Sequence, residues 1–118
     1  MKRKNQSGFT LIETVISLFI LAVVLLAISS LVWSIMRSNS QSRELTAATT
    51  LAQDKLEGLR KSGFSSLTPG ADSVRLGNID YIRQWSVAPA GNLAIITVTM
   101  NWTSRGVHQI SLATLRGE

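Results

Sequence analysis

The sequence contains no cysteine, two prolines and a single histidine among 118 residues. Without cysteine the chain forms neither a disulfide scaffold nor a Cys-ligated zinc or iron–sulfur site. The lone His108 has no His, Cys or carboxylate companions at ligand spacing, and it leaves no serine with a credible base partner. The length is also too short for a catalytic domain beside a cofactor domain. We therefore expect neither enzymatic activity nor a cofactor.

Charged residues are also scarce, at 16% of the chain against roughly 25% in an average soluble domain. The deficit is concentrated in one segment, because residues 14–36 carry no charge at all. Such a run of 23 residues is long enough to cross ~30 Å of hydrocarbon as a helix. The sequence therefore predicts one membrane span, and it leaves residues 37–118 for a small domain outside the membrane.

The basic residues indicate how this span is oriented. The net charge is +5, and Lys2, Arg3 and Lys4 supply three of the positive charges just ahead of the apolar run. Lys and Arg beside a membrane span tend to stay in the cytoplasm. We therefore place the N-terminus in the cytoplasm and the rest of the chain on the far side of the membrane.

Four arginines occur in the second half of the chain: Arg75, Arg83, Arg105 and Arg116. They are scattered and interspersed with aspartates, a pattern that favours a solvated surface over a nucleic-acid interface. Nucleic acid is therefore not an expected partner. Trp85 and Trp102 fall on the apolar faces of predicted strands, so we expect both in the core.

A helical pattern continues beyond the apolar run. Apolar residues recur at spacings of three and four and form one stripe: Leu45, Ala48, Ala52, Leu56 and Leu59. No proline occurs before Pro69, so one helix from about Phe9 to Lys61 is predicted, with Gly63 as its C-cap. At 1.5 Å per residue this helix is about 80 Å long, so half of it must lie outside the membrane.

The last third of the chain alternates with period two, which is typical of strands with one apolar face. Three runs are predicted as strands: residues 81–87, 96–102 and 108–112. A short strand at 74–76 would pair through a turn at Gly77 and Asn78, after a loop over residues 65–72. Further turns are expected at 89–92 and 104–106. Packing the helix stripe on the apolar sheet face gives an α+β fold with a small antiparallel sheet of three to four strands.

The most specific pattern lies just before the apolar run. A short basic leader ends in Gly8, and the residues Phe9-Thr10-Leu11-Ile12-Glu13 follow it. A carboxylate held at mid-bilayer costs on the order of 2.5–3.5 kcal/mol, so Glu13 at the edge of the span indicates a function or a partner. The leader also lacks the apolar stretch that precedes the cleavage site of a secretory signal peptide.

These residues resemble the class III signal of the type IV pilin family, which includes the pseudopilins of type II secretion. The resemblance implies that a prepilin peptidase cleaves between Gly8 and Phe9 and N-methylates Phe9. It also implies an inner-membrane, single-pass subunit that is later extracted into a filament, where Glu13 pairs with the Phe9 amine of a neighbouring subunit. Pairing would offset the penalty of burying each charge alone and would fix the axial register.

Two further segments, residues 51–60 and 96–115, are similar to the end of the long helix and the last two strands of V-type minor pilins and the I-type pseudopilin. This likeness implies a minor subunit that takes part in initiating assembly and lies at the pilus or pseudopilus tip. The implied partners are the prepilin peptidase, other major and minor pilins or pseudopilins, an inner-membrane assembly platform and membrane lipid. Motility, secretion and DNA uptake all stay open as the parent system.

The resulting division of the chain is a class III leader at 1–8, a transmembrane and assembly helix at 9–36, and a periplasmic pilin-like domain at 37–118. In that domain the amphipathic helix runs to about residue 62 and antiparallel strands follow. The alternative is a single-span, membrane-anchored periplasmic binding module that does not polymerise. A conventional signal peptide ending at residues 27–29 is a weaker reading, because Glu13 would interrupt the start of its apolar core.

Overall fold

A computed structural model describes residues 8–117, so the leader residues Lys2, Arg3 and Lys4 lie outside the described part of the chain. The elements are one helix, one 3₁₀ turn and four strands: α1 (Leu11–Lys61), the turn (Phe64–Ser66), β1 (Gly70–Leu76), β2 (Ile79–Ala90), β3 (Leu93–Ser104) and β4 (Gly106–Gly117). The chain divides into two compact units, with the boundary between Gln41 and Ser42. The predicted α+β, pilin-like fold is confirmed.

The first unit contains the apolar half of α1. Its large side chains are exposed, and none of its most apolar 18-residue stretch is buried. The segment is long and apolar enough to cross a membrane. The hydroxyls of Ser29 and Ser30 donate to the carbonyl oxygens of Leu25 and Ala27, each at 2.8 Å. These bonds satisfy the two hydroxyls within the helix, as a hydrocarbon surrounding requires.

In the second unit, the last turns of α1 pack on the sheet. Ala48 and Ala52 are fully buried, and Leu56 is 9% exposed. They contact one face of the two central strands, which contributes Tyr81, Ile96, Val98, Met100 and Trp102. The alternation predicted for these strands is therefore confirmed. Two alanines in succession on this stripe allow the helix backbone to approach the sheet closely.

The predicted stripe is wrong at Leu45, which is 48% exposed. Its neighbour Glu44 takes the position facing the sheet. The Ser104 hydroxyl donates to the Glu44 carboxylate at 2.9 Å, and the Tyr81 hydroxyl donates to the Glu44 carbonyl oxygen at 3.4 Å. Two polar contacts at the edge of the core thus determine which side of the helix faces the sheet at this point. The spacing of apolar residues alone does not predict this orientation.

The four strands form one antiparallel sheet in the order β1-β2-β3-β4. The fourth, short strand is confirmed, but it begins at Gly70, so the predicted loop at 65–72 is wrong over its last three residues. Gly70 pairs with Trp85, and a Cβ at Gly70 would lie 2.6 Å from the Trp85 ring. The Trp85 indole N–H donates to the Thr68 carbonyl oxygen at 2.9 Å. The start of β1 is therefore fixed by a tryptophan on the next strand.

Two glycines take the turn conformations that were expected of them, and a third does not form the predicted helix cap. Gly77 and Gly91 have positive φ angles of 60° and 67°, as the hairpins β1–β2 and β2–β3 require. The predicted C-cap at Gly63 is wrong, because this residue has φ −60° and ψ 145°. Ser62 closes the helix instead. Its backbone N–H and its hydroxyl both donate to the Gly58 carbonyl oxygen, at 3.2 and 2.9 Å.

A polar cluster joins α1 to β1 and β2. The Arg83 guanidinium donates to both carboxylate oxygens of Asp72, each at 2.6 Å. Lys55 Nζ lies 3.4 Å from the same carboxylate and 3.7 Å from the centroid of the Trp85 ring. Arg83 is thus half-buried against the helix rather than solvated, whereas Arg75, on the opposite sheet face, pairs with Asp80 at 3.7 Å. These two arginines therefore do not share a basic face.

This cluster predicts a pH-dependent stability. The hydrogen bonds from Arg83 lower the pKa of Asp72 from its ordinary 3.8, against an opposing effect of desolvation. Because the folded pKa is the lower one, the stabilisation is complete above pH ~4 and is lost as the pH falls through the folded pKa. Asp72→Asn should therefore lower the free energy of unfolding at pH 7 by about 1 kcal/mol, a value reduced by the exposure of the pair.

The measurement is tryptophan-fluorescence unfolding of the full chain in detergent micelles between pH 7 and 3. The matched control is Asp54→Asn, which changes an exposed carboxylate on α1. Parallel pH profiles for the Asp72→Asn variant and the unmodified chain would contradict the prediction.

Candidate functional site

The candidate processing and assembly residues lie at the start of α1. Gly8, Phe9 and Thr10 have non-helical backbone, and the helix begins at Leu11. The predicted start at about Phe9 is therefore two residues too early. The cause is a capping arrangement at Thr10, whose carbonyl oxygen accepts the helical hydrogen bond from the Thr14 N–H at 3.2 Å.

Thr10 and Glu13 cap each other. The Glu13 N–H donates to Thr10 Oγ1 at 3.3 Å, and the Thr10 N–H donates to Glu13 Oε2 at 3.2 Å. This reciprocal pair is a capping box, which satisfies two backbone donors that the first helical turn leaves without partners. Thr-x-x-Glu before an apolar run is the sequence signature of this cap. The signal is therefore present in the sequence, although the predictions above do not include the cap.

The cap determines what the Glu13 carboxylate can do. Its bond from the Thr10 N–H and a longer contact of 3.4 Å from the Thr10 hydroxyl both go to Oε2. The residue is exposed. An ionised carboxylate has about four acceptor sites, so it can accept a donor from another molecule while keeping the cap. The anion also lies at the helix N-terminus, where the macrodipole favours negative charge.

The bond between Gly8 and Phe9 lies in open, non-helical backbone. Phe9 is 85% exposed. Among the described residues, no atom lies within 4 Å of a Cβ built on Gly8. The described fold therefore does not require a glycine at this position, and a need for glycine would come from an enzyme that binds the segment. The geometry leaves this peptide bond reachable.

The comparison with protein families bears on this segment. Residues 3–29 match the model of the prokaryotic N-terminal methylation motif. The chain carries the N-terminal methylation motif. The motif is typical of type IV pilins and pseudopilins, and it supports a pilin-like substrate of prepilin peptidase and implies association with other pilins. The single N-terminal apolar helix is consistent with a membrane anchor. Searches of the curated proteins and of the solved structures found no match.

The matched segment contains the three residues predicted to act in processing and assembly. Gly8, Phe9 and Glu13 all lie between residues 3 and 29. Within the chain the hydrogen-bonding partner of Glu13 is Thr10, so the pairing of Glu13 with the Phe9 amine of a neighbouring subunit stays a prediction. The capped start of α1, from Thr10 to Glu13, therefore lies inside the segment that matches the methylation motif.

The described residues of the sheet provide few groups that could form a metal site. Over residues 8–117, no group of three His, Asp or Glu side chains could hold a metal ion. His108 stacks on Trp102 with ring centroids 5.4 Å apart. Trp102 is 5% exposed, as expected for a core residue, whereas Trp85 is only half-buried beneath Lys55.

Proposed function

We propose that this chain is a minor pilin or pseudopilin subunit that takes part in initiating assembly of a type IV pilus or a type II secretion pseudopilus. The observation that carries the proposal is the methylation motif placed on a capped helix start with an open Gly8–Phe9 bond. The similarity of residues 51–60 and 96–115 to V-type minor pilins and the I-type pseudopilin supports the minor role. The proposed site of action is the inner membrane and then the filament tip.

The subunit would act through packing and charge, without a reaction of its own. Prepilin peptidase would cleave after Gly8 and N-methylate the new amine of Phe9. The Glu13 carboxylate of an adjacent subunit would then pair with this amine in the apolar filament core. A buried ion pair of this kind specifies register, because any axial slip leaves both charges without a partner. The domain outside the membrane would face neighbouring subunits and the periplasm.

The cap explains how the carboxylate is held before assembly. In the chain alone, Glu13 accepts hydrogen bonds from Thr10 instead of from a second subunit. These bonds reduce the penalty of holding a carboxylate near hydrocarbon. They also hold the side chain at the helix start, so it is already positioned when a neighbouring amine arrives.

The N-terminus of the membrane-bound protein tests the proposal. Mass spectrometry of membranes containing the cognate prepilin peptidase should show a chain that begins with N-methylated Phe9, and membranes without the peptidase should not. Gly8→Val should block this processing, and it should leave the fold intact because a Cβ at Gly8 meets no described atom within 4 Å.

Two results would contradict the proposal. A chain that keeps its leader in the presence of the peptidase would indicate a simple anchor, as in the membrane-anchored binding module. Cleavage near Ser29 would indicate a conventional signal peptide and a soluble exported domain. Tryptophan fluorescence should be used to compare the unfolding of the Gly8→Val variant with that of the unmodified chain. This comparison shows whether a loss of processing comes from a loss of fold.

A further inference from the structure

Arg37 is a charged side chain near the end of the apolar half of α1. Residues 9–41 carry two charged side chains, Glu13 near the start and Arg37 near the end. The Thr10 cap holds Glu13, whereas Arg37 is exposed and forms no ion pair or side-chain hydrogen bond within the part of the chain that the structure describes. The nearest carboxylate along the chain is Glu44, which already accepts a hydrogen bond from β3. The rest of the described chain therefore does not neutralise the charge of Arg37.

The separation of the two charges sets the depth of Arg37 in a bilayer. Glu13 and Arg37 are 24 residues apart on α1, a rise of about 36 Å. The hydrocarbon core of a bilayer is about 30 Å thick, and the bilayer with its headgroup regions is about 40–45 Å thick. Charged side chains avoid the hydrocarbon core because burying them there is costly. When residues 14–36 occupy that core, Arg37 therefore lies in the headgroup region, at the depth of the lipid phosphates.

Trp33 lies on the same face of α1 as Arg37, because four residues separate them. It is 71% exposed, so its ring is available to contact lipid. At helical rise it lies about 6 Å closer to the hydrocarbon than Arg37, at the boundary with the headgroups where tryptophan is enriched. The two side chains together present an apolar ring next to a cation, which matches the glycerol and phosphate groups of a phospholipid.

We propose that Trp33 and Arg37 bind the headgroup of an anionic phospholipid in the leaflet where the C-terminal end of the span emerges. The guanidinium would donate two parallel hydrogen bonds to the phosphate oxygens, a geometry that arginine favours. The indole ring would pack on the glycerol and the first acyl carbons. A lipid with net negative charge is preferred, because the ammonium group of a zwitterionic headgroup opposes the charge of Arg37. The inference goes beyond the proposed function, since it requires the membrane span and no second subunit.

A bound lipid would hold the span at one depth. The bonds between guanidinium and phosphate would persist while Arg37 stays at the headgroup level, and they would break when α1 moves along its axis. For a subunit that is extracted into a filament, this contact adds to the free energy that extraction requires. The lipid composition of that leaflet would therefore affect how readily the subunit leaves the membrane.

Quenching of Trp33 fluorescence by brominated lipids tests the site. The full chain is placed in phosphatidylcholine nanodiscs that contain either brominated phosphatidylglycerol or, at the same fraction, brominated phosphatidylcholine. Trp33 reports the leaflet at the C-terminal end of the span, whereas the basic leader precedes the other end. A Trp33→Phe variant gives the signal of Trp85 and Trp102, which is subtracted. We expect phosphatidylglycerol to be preferred about fivefold at Trp33, the equivalent of about 1 kcal/mol.

Two arginine variants locate the source of the preference. Arg37→Gln removes the cation but keeps a residue of similar helix propensity, so it should abolish the preference and leave α1 intact. Arg43→Gln is the matched control, because Arg43 is also exposed but lies about 45 Å along α1 from Glu13, at the limit of the headgroup region. This control should keep most of the preference. Added salt should weaken the preference of the unmodified chain, because salt screens the attraction between charges.

Four results would overturn the inference. Equal quenching by the two brominated lipids would show that no anionic lipid is preferred, and an unchanged preference in Arg37→Gln would place its source elsewhere. Equal losses in the two arginine variants would indicate diffuse attraction to a charged surface instead of a site. An oligomer in pure phosphatidylcholine that is lost in Arg37→Gln would assign Arg37 to a carboxylate of another chain. None of these results concerns processing at Phe9, so the proposed function is tested separately.

Discussion

Replacement of Glu13 by alanine should abolish filament assembly while the chain is still inserted, processed and folded. In the filament core the Phe9 amine would lose its partner, and removing one member of a buried pair costs about 3–5 kcal/mol. A loss of that size lowers an association constant by more than about a hundredfold. The measurement compares sheared filaments with membrane-retained subunit, and the N-terminus of the retained chain is read by mass spectrometry.

Two further variants separate the charge of Glu13 from its cap. Glu13→Gln keeps an acceptor for the Thr10 N–H, because glutamine also serves in a capping box, but it removes the charge. We expect assembly to fail in this variant as it does with alanine. Asp54→Ala, an exposed carboxylate on the same helix, is the control and should assemble normally. Normal assembly of Glu13→Gln would show that Glu13 acts only as a cap, and normal assembly of Glu13→Ala would favour a simple tether.

Met100→Ala should cause a large loss of stability in the domain. Met100 is fully buried between α1 and the sheet. Truncation of such a side chain to alanine costs about 2–5 kcal/mol, because a cavity is left where the surroundings relax only partly. A small domain has about 5–15 kcal/mol in total, usually nearer the lower end. Thermal unfolding in micelles should shift strongly, and steady-state levels in the membrane should fall.

The matched control is Ile95→Ala, an apolar residue of the same strand on the other face, where it is 38% exposed. It should lower stability by less than about 1 kcal/mol, because little burial and no cavity are involved. Similar losses for both variants would contradict the assignment of the buried face of β3. The comparison therefore also tests the orientation of the sheet against α1.

Periodic patterns predicted the helix and the strands because burial on one face imposes a repeat on the sequence. Ala48 and Ala52 recur at the helical spacing, and Val98 and Met100 alternate as a half-buried strand does. The errors arose where contacts between distant residues decide the local structure. Gly70 joins β1 because of Trp85, and Glu44 displaces Leu45 because of Ser104 and Tyr81.

The candidate processing and assembly site could be predicted in part from the sequence, for a different reason. Gly8, Phe9 and Glu13 form a contiguous motif, so no folding was needed to bring them together. The link from Thr10 to Glu13 is equally local, but the predicted role of Glu13 rests on its charge and does not take account of the backbone donors of the first turn. The cluster of Lys55, Asp72 and Arg83 could not be read locally, since 17 and 11 residues separate Asp72 from its partners.

The short distance from the Gly8–Phe9 bond to the helix start has an energetic consequence for processing. Cleavage there would create a positive amine on Phe9, one residue before the cap at Thr10 and beside the positive end of the α1 dipole. The Glu13 carboxylate that Thr10 holds at the same terminus would lie four residues from this amine and opposite to it in charge. Each processed subunit would then carry one amine and one carboxylate at the start of its helix. A row of subunits paired through these groups would leave charges without a partner only at its two ends.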